Sequence, residues 1–222
     1  MSEELATTYR LYLGKAQEEM EYIRQELEAC QRCGLEVSKD AKVMGSGFPL
    51  SDIMLVKSRL FQEETERGVA FYGEAAEVVE KACQALDHLK FEYLYGTNAI
   101  KCHLISSGPS IFPDPSIRKN CSLFLKMEIL TCQPRFILAL GQEAVEVLNL
   151  ISPALGDRLE FQPGAIFNYR PKTRALVTYD LLDSLEDMEK KKQLWADLRK
   201  LNSIYGDYLS QRVRSESILK RS

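Results

Sequence analysis

Two cysteines three positions apart, Cys30 and Cys33, end a segment that reads as a long helix, and a glycine-punctuated stretch, "VMGSG" at 43–47, follows closely. Three chemistries use such a pair. A redox dithiol opens a helix after a strand, where the helix dipole lowers a thiol pKa; here the pair follows a helix, which weakens that use. A structural zinc site draws on four thiolates, usually as two close pairs, and the remaining cysteines here (83, 102, 121, 132) are single. Cys102 stands just after strand-like residues and Cys121 on the next helix. Thiolates spread over a loop, a strand end and a helix suit the wider bite of an iron–sulfur cluster. Cys121 and Cys132 lie three turns apart on one helix, roughly 16 Å along its axis, so they cannot both ligate one cluster. Cys132 and Cys83 read as small buried residues.

The elements that must position these thiols follow from hydrophobic spacing. Leu5, Tyr9, Tyr12, Ala16, Met20, Ile23 and Leu27 recur every three or four residues, which predicts an amphipathic helix delivering its end at Cys30. "DIMLV" (52–56), "EYLYGTNAI" (92–100), "RFILALG" (135–141) and "RALVTYD" (174–180) read as strands. Between them lie helical patterns at 74–89, 116–132 (starting after Pro115, a favoured first-turn residue) and 142–150, with a last helix at 184–209. Buried runs alternating with helices predict an α/β fold, a three-layer α/β/α sandwich with a mostly parallel central sheet. The expected organisation is an N-terminal helix over 1–27, one domain over 28–209 and a basic tail over 210–222. In such sheets ligands bind at the carboxyl ends of strands, here after Val56, around Asn98, after Leu140 and around Asp180.

Bulk properties narrow the function classes. The chain has 222 residues, 45% apolar, enough for a full core. Its apolar runs are strand-sized, well short of the roughly 20 residues of a membrane span. The acidic start "MSEELATTYR" lacks a signal-peptide core, so a cytoplasmic protein with reduced or metal-bound cysteines is expected. Net charge is −3, yet residues 190–222 carry nine Lys/Arg against three Asp/Glu, a local +6 that leaves −9 on the rest. Such a segment can follow a phosphate backbone or simply form a solvated helix face.

With these elements in order, the chain resembles the iron–sulfur (family 4-like) branch of the uracil-DNA glycosylase superfamily over roughly residues 28–201. That branch opens with CxxC and a "VxGxG"-like segment, matched by "CQRC" and "VMGSG". Its "TNxxKC" strand end is matched by Thr97, Asn98, Lys101 and Cys102, its next helical cysteine by Cys121, and its "PxxxxxLG" strand by "PRFILALG" at 134–141. The resemblance implies a 4Fe-4S cluster on Cys30, Cys33, Cys102 and Cys121, and DNA as partner: uracil-containing, deaminated or single-stranded. No membrane role is expected, and a monomer with room for a protein partner.

The catalytic ends depart from the family pattern. Its first motif, "VGEAPGxxEDxxGxPFVG", is met without gaps by "VKSRLFQEETERGVAFYG" at 56–73. Val56, Glu64, Gly68, Phe71 and Gly73 keep their types, while Lys57 to Phe61 replace "GEAPG". The second motif, "HPS", is replaced by Asp180, Leu181 and Leu182. The resemblance makes Phe71 a stacking face for a flipped base, with Gly73 beside it, and Asn98 an amide reading the uracil edge. From the residues alone Phe71 is also a core aromatic and Asn98 a strand-end turn residue. Glu64 reads either as a water-orienting base or, in the acidic run "EETE", as a solvated glutamate; the second is favoured. Asp180 sets a carboxylate where the family has a donor to the departing base anion, and Ser58 removes a carboxylate. Lys190, Lys191, Lys192 and Arg199 are the candidate phosphate contacts. The expected function is therefore a DNA-repair hydrolase of glycosylase type, weak or altered towards uracil. The alternative, from a different class, is a catalytically inactive iron–sulfur protein that binds nucleic acid or another protein.

Overall fold

The computed structural model describes residues 3–33, 42–58, 60–103, 114–151 and 156–219. Arg59 of the first motif, the Ser/Gly/Pro-rich segment 104–113 and the last tail residues, 220–222, lie outside these. In chain order the elements are α1 (Glu3–Glu28), β1 (Ser46–Gly47), β2 (Ile53–Lys57), α2 (Gln62–Arg67), α3 (Glu74–Gln84), β3 (Tyr95–Asn98), α4 (Pro115–Cys132), β4 (Phe136–Leu140), α5 (Gln142–Ile151), β5 (Ile166–Arg170), β6 (Thr173–Thr178), α6 (Leu181–Glu186) and α7 (Met188–Leu219).

The six strands form one sheet in the order β1-β3-β2-β4-β6-β5. The four central strands run parallel, and β1 and β5 add antiparallel edges. Side chains alternate between faces along each strand, and the two cores show it. Ile53, Leu55, Phe136, Leu138, Leu140 and Leu176 pack with Val79 and Ala82 of α3 and Leu194 and Leu198 of α7. Met54, Val56, Ile137, Ala139, Ala175 and Val177 pack on the other face with Leu125 and Ile129 of α4 and Val145 and Leu148 of α5. This is the expected three-layer sandwich. Residues that follow β2 diverge from those that follow β4, because the chain adds β3 on one side of β2 and β4 on the other. The crevice at that switch point is where a doubly wound sheet takes its ligand.

Three expectations change. The predicted last helix is two: α6 stops at Asp187, whose Oδ1 accepts from the backbone N–H groups of Glu189 (2.8 Å) and Lys190 (3.2 Å) and so starts α7. That helix then continues to Leu219, through most of the span expected to be a tail. On α1 only Ala16, Ile23 and Leu27 of the predicted stripe are buried; Leu5, Tyr9 and Tyr12 are exposed. The stripe finds its partner, Phe124 of α4, only in the second half of the helix.

Candidate functional site

At the carboxyl ends of the parallel strands the register sets Lys57 opposite Asn98 on one side and Leu140 on the other, with Thr178 beyond Leu140. Lys57 ends β2 on the face of Ile53 and Leu55, so its side chain enters the interior instead of solvent. Its Nζ lies 2.6 Å from Glu64 Oε2, 4.3 Å from the centroid of the Phe61 ring and 5.5 Å from that of Phe71. Burial pushes the ammonium down to about 8, against the opposing pull of the Glu64 and Asp180 carboxylates.

Glu64 is not a solvated glutamate. It is fully buried, because α2 turns it inward to receive three donors. Oε2 accepts from Lys57 Nζ and from the Phe61 backbone N–H (2.9 Å), and Oε1 accepts from the Phe71 backbone N–H. The last bond pins Phe71 at φ 56, in a left-handed conformation that a bulky residue adopts only when its surroundings impose it. The Phe71 ring is pressed onto β3, where a Cβ in place of Gly96 would stand 2.5 Å from Phe71 Cδ2.

Asn98 ends β3 on the side of Gly96 and is fully buried. Among the described residues neither its Nδ2 nor its Oδ1 has a hydrogen-bond partner. Gly73 starts α3 at φ 67, and a Cβ there would stand 1.6 Å from Glu63 Oε2, so the turn accepts only glycine. Phe71 and Gly73 border a groove of about 790 Å³ with Glu63, Arg67, Tyr72 and Glu80, and Asn98 is not in its lining. The three candidates for base recognition therefore do not share one open cleft. The Lys57 head group lies against the ring on the strand-end side.

Asp180 follows β6 and caps α6, its Oδ1 accepting from Leu182 N at 2.9 Å. Its Oδ2 accepts from Ser58 Oγ at 3.3 Å, so the positions of the two altered motifs meet. Burial raises the carboxyl above its ordinary range, and the Leu182 N–H works against that rise.

The four candidate thiols gather on the other side of β3, where the end of α1 meets the start of α4. Each of Cys33, Cys102 and Cys121 feels the charge of at least one other of the set: Cys30 acts on Cys33, Cys30 and Cys33 act on Cys102, and Cys102 and Cys33 act on Cys121. Burial raises the Cys33 thiol, pushes Cys102 up to about 11 and Cys121 up to about 12. Cys121 Sγ accepts from the Lys101 N–H at 3.2 Å, the kind of bond that favours a thiolate. Among the described residues no three cysteine, histidine or carboxylate side chains converge as they would on a single metal ion. Cys83 and Cys132 are buried in the two opposite cores.

Residues 44–199 match the family described as the uracil DNA glycosylase superfamily. The chain belongs to the uracil-DNA glycosylase superfamily. It is similar to proteins named type-4 uracil-DNA glycosylase from three archaea. The Saccharolobus solfataricus protein is 25% identical, over 82% of this chain and 84% of its own length. The Sulfurisphaera tokodaii protein is 22% identical, over 83% and 84%. The Archaeoglobus fulgidus protein is 22% identical, over 85% and 94%.

Beneath the site Thr97 and Lys101 of the strand-end motif join a network whose acid, Glu128, had no local sequence signal. Lys101 Nζ reaches Glu128 Oε2 and Thr97 Oγ1, both at 2.5 Å, and Glu128 Oε1 accepts from Gly45 N at 2.8 Å. The Lys101, Thr97 and Glu128 side chains are sealed from solvent, and Gly45, just before β1, is half-buried. It ties β3 to α4, and so joins the thiol region to the strand that ends at Asn98. The candidate phosphate contacts sit on α7. Lys190 pairs with Asp183 (2.8 Å) and lies 5.7 Å from the Tyr179 ring, next to Asp180. Lys192 pairs with Glu189, Lys191 is exposed, and the Arg199 guanidinium lies over Trp195. No described helix is long and apolar enough to cross a membrane.

Proposed function

We propose that this protein acts on DNA as a glycosylase-type member of its superfamily, weak or altered towards uracil, with Cys30, Cys33, Cys102 and Cys121 holding a 4Fe-4S cluster. The observation that carries the DNA reading is Asn98. A buried amide with neither half satisfied costs about 1–3 kcal/mol per group, a cost that a ligand edge presenting one donor and one acceptor removes. The names of the relatives support a nucleotide of DNA as that ligand.

The cluster proposal rests on four thiols within each other's field and on the Lys101 N–H aimed at Cys121. Thiols held protonated by burial exchange their protons for metal when it binds. Such a cluster would brace the junction of α1, β3 and α4, and nothing in the site needs it for a chemical step.

Weak action on uracil follows from charge. Loss of one preorganised donor to a developing anion lowers rate by about 10²–10³. Asp180, where ionised, adds repulsion at the same place. Incubation with uracil-, hypoxanthine- and xanthine-containing oligonucleotides, followed by alkali, tests this. We expect little or no strand cleavage at uracil, and efficient cleavage there overturns the reading. The Lys57 head group against Phe71 favours a second reading, a DNA-binding protein that no longer excises bases.

A further inference from the structure

At the first motif Lys57 replaces a glycine of the family pattern, which removes a place where a backbone could approach closely. The structure also shows a gain. Lys57 brings a primary amine to the centre of the sheet's carboxyl edge, beside Asn98, and seats it between two aromatic rings with a carboxylate at 2.6 Å. A base stacked on Phe71 would need that space. A nucleotide that has already lost its base would not. A base is bonded to the sugar through C1′, so an amine in the place of the base faces that carbon; Lys57 is 1% exposed, and the sugar reaches it by displacing the rings that cover it.

We propose that Lys57 forms an imine with the C1′ aldehyde of an abasic site in DNA. The inference rests on the DNA reading of the site, not on base excision. An abasic deoxyribose exists partly as the ring-opened aldehyde, the electrophile that lysine amines attack in Schiff-base chemistry. The neutral Lys57 nitrogen adds to C1′, the carbonyl oxygen takes a proton, and the resulting hydroxyl leaves as water while C=N forms. Amine and aldehyde give imine and water, with no change in oxidation state. The nitrogen gives up two protons, and Glu64 relays each in turn to the oxygen, the first on addition to the carbonyl and the second to the departing hydroxyl. Burial of Lys57 helps, since an amine lowered to about 8 is in part neutral at neutral pH. Asn98 is left to bond the sugar oxygens through its unpartnered amide.

The test is borohydride trapping on the full-length protein with an oligonucleotide carrying one abasic site, alongside a binding measurement on the same oligonucleotide. Hydride from the reagent reduces the imine to a stable secondary amine. We expect a covalent protein–DNA band, with peptide mass analysis placing the adduct on Lys57. Lys57→Arg keeps the positive charge beside Glu64 but cannot form the adduct, and Lys57→Met keeps the length without the charge; both should lose the band while still binding DNA. Either variant that fails to fold leaves the mass assignment on the unmodified protein to decide. An oligonucleotide bound but never trapped, or an adduct on another amine, overturns this inference and leaves the DNA reading standing. An oligonucleotide not bound at all overturns both.

Discussion

Lys57 Nζ lies 2.6 Å from Glu64 Oε2, seven residues further along the chain, and the two side chains are 1% and 0% exposed. The pair joins the end of β2 to α2. Through the bond from Glu64 to Phe71 N it also sets the backbone of the residue whose ring covers Gly96. A buried pair of this kind does little for net stability while intact, because desolvation offsets the attraction. Removing one partner leaves the other charge alone in the interior, at a cost of about 3–5 kcal/mol.

Glu64→Ala should therefore destabilise the protein by about 3–5 kcal/mol in urea unfolding. The double variant Lys57→Met, Glu64→Gln should recover part of that loss, since no unpaired charge remains. A double variant no more stable than Glu64→Ala would argue that the backbone bonds to Phe61 and Phe71, not the ion pair, are what Glu64 supplies.

The lowered Lys57 pKa carries a sign for stability. The folded value is about 8 against the ordinary lysine value of 10.5, so between these the unfolded chain holds a proton that the folded chain has released. Stability then rises with pH across that window. The groups facing the ammonium are Glu64 from α2, Asp180 at the start of α6, and Lys101. Unfolding free energies at pH 7.5 to 10, in steps of roughly half a unit around this titration, should show the unmodified protein gaining on Lys57→Met as pH rises. Parallel curves would refute the shift.

Anaerobically purified protein should be brown and hold about four irons per chain, the stoichiometry of a 4Fe-4S cluster. Cys121→Ser should lose most of that iron, and Cys83→Ala should keep it. Zinc in place of iron, or iron retained in Cys121→Ser, would remove the cluster from the account.

Asp180→His should raise any residual uracil release, because a donor would replace a carboxylate facing Ser58 at the joined motif positions. Adding "GEAPG" over 57–61 should raise it further, and more than the two changes predict separately, as groups that act on one transition state are not additive. Single-turnover excision assays of the four combinations decide this; equal rates throughout would separate Asp180 from the chemistry.

Binding to DNA should weaken steeply with salt, since log affinity falls by about 0.9 per phosphate contact for each tenfold rise in salt. Lys191→Ala and Arg199→Ala should each reduce that slope by about one contact's worth. A slope unchanged in both would move the DNA surface off α7.

Much of the scaffold was legible because it rests on local pattern. Continuous apolar runs such as "FILAL" announce parallel strands buried on both faces, and the spacing of Cys30, Cys33, Cys102 and Cys121 along those elements is a property of the chain alone. The edge strands were not legible. β1 is two residues long, and in β5 only Tyr169 is fully buried, so neither carries a periodic signal.

The site divides the same way. Sequence determined which residue types stand at the motif positions, and hence that a carboxylate, Asp180, follows the last parallel strand. Only the tertiary structure decided what Glu64 is. Within "QEETER" it is one acid among several, and helix α2 has no apolar face to mark which side turns inward. Its burial is set by donors that local sequence does not reveal: a lysine seven residues earlier and a backbone N–H seven residues later, brought to it by the turns before and after α2. The unpartnered amide of Asn98 is of the same kind. A hydrogen bond that is missing can be seen only once every neighbour has been placed.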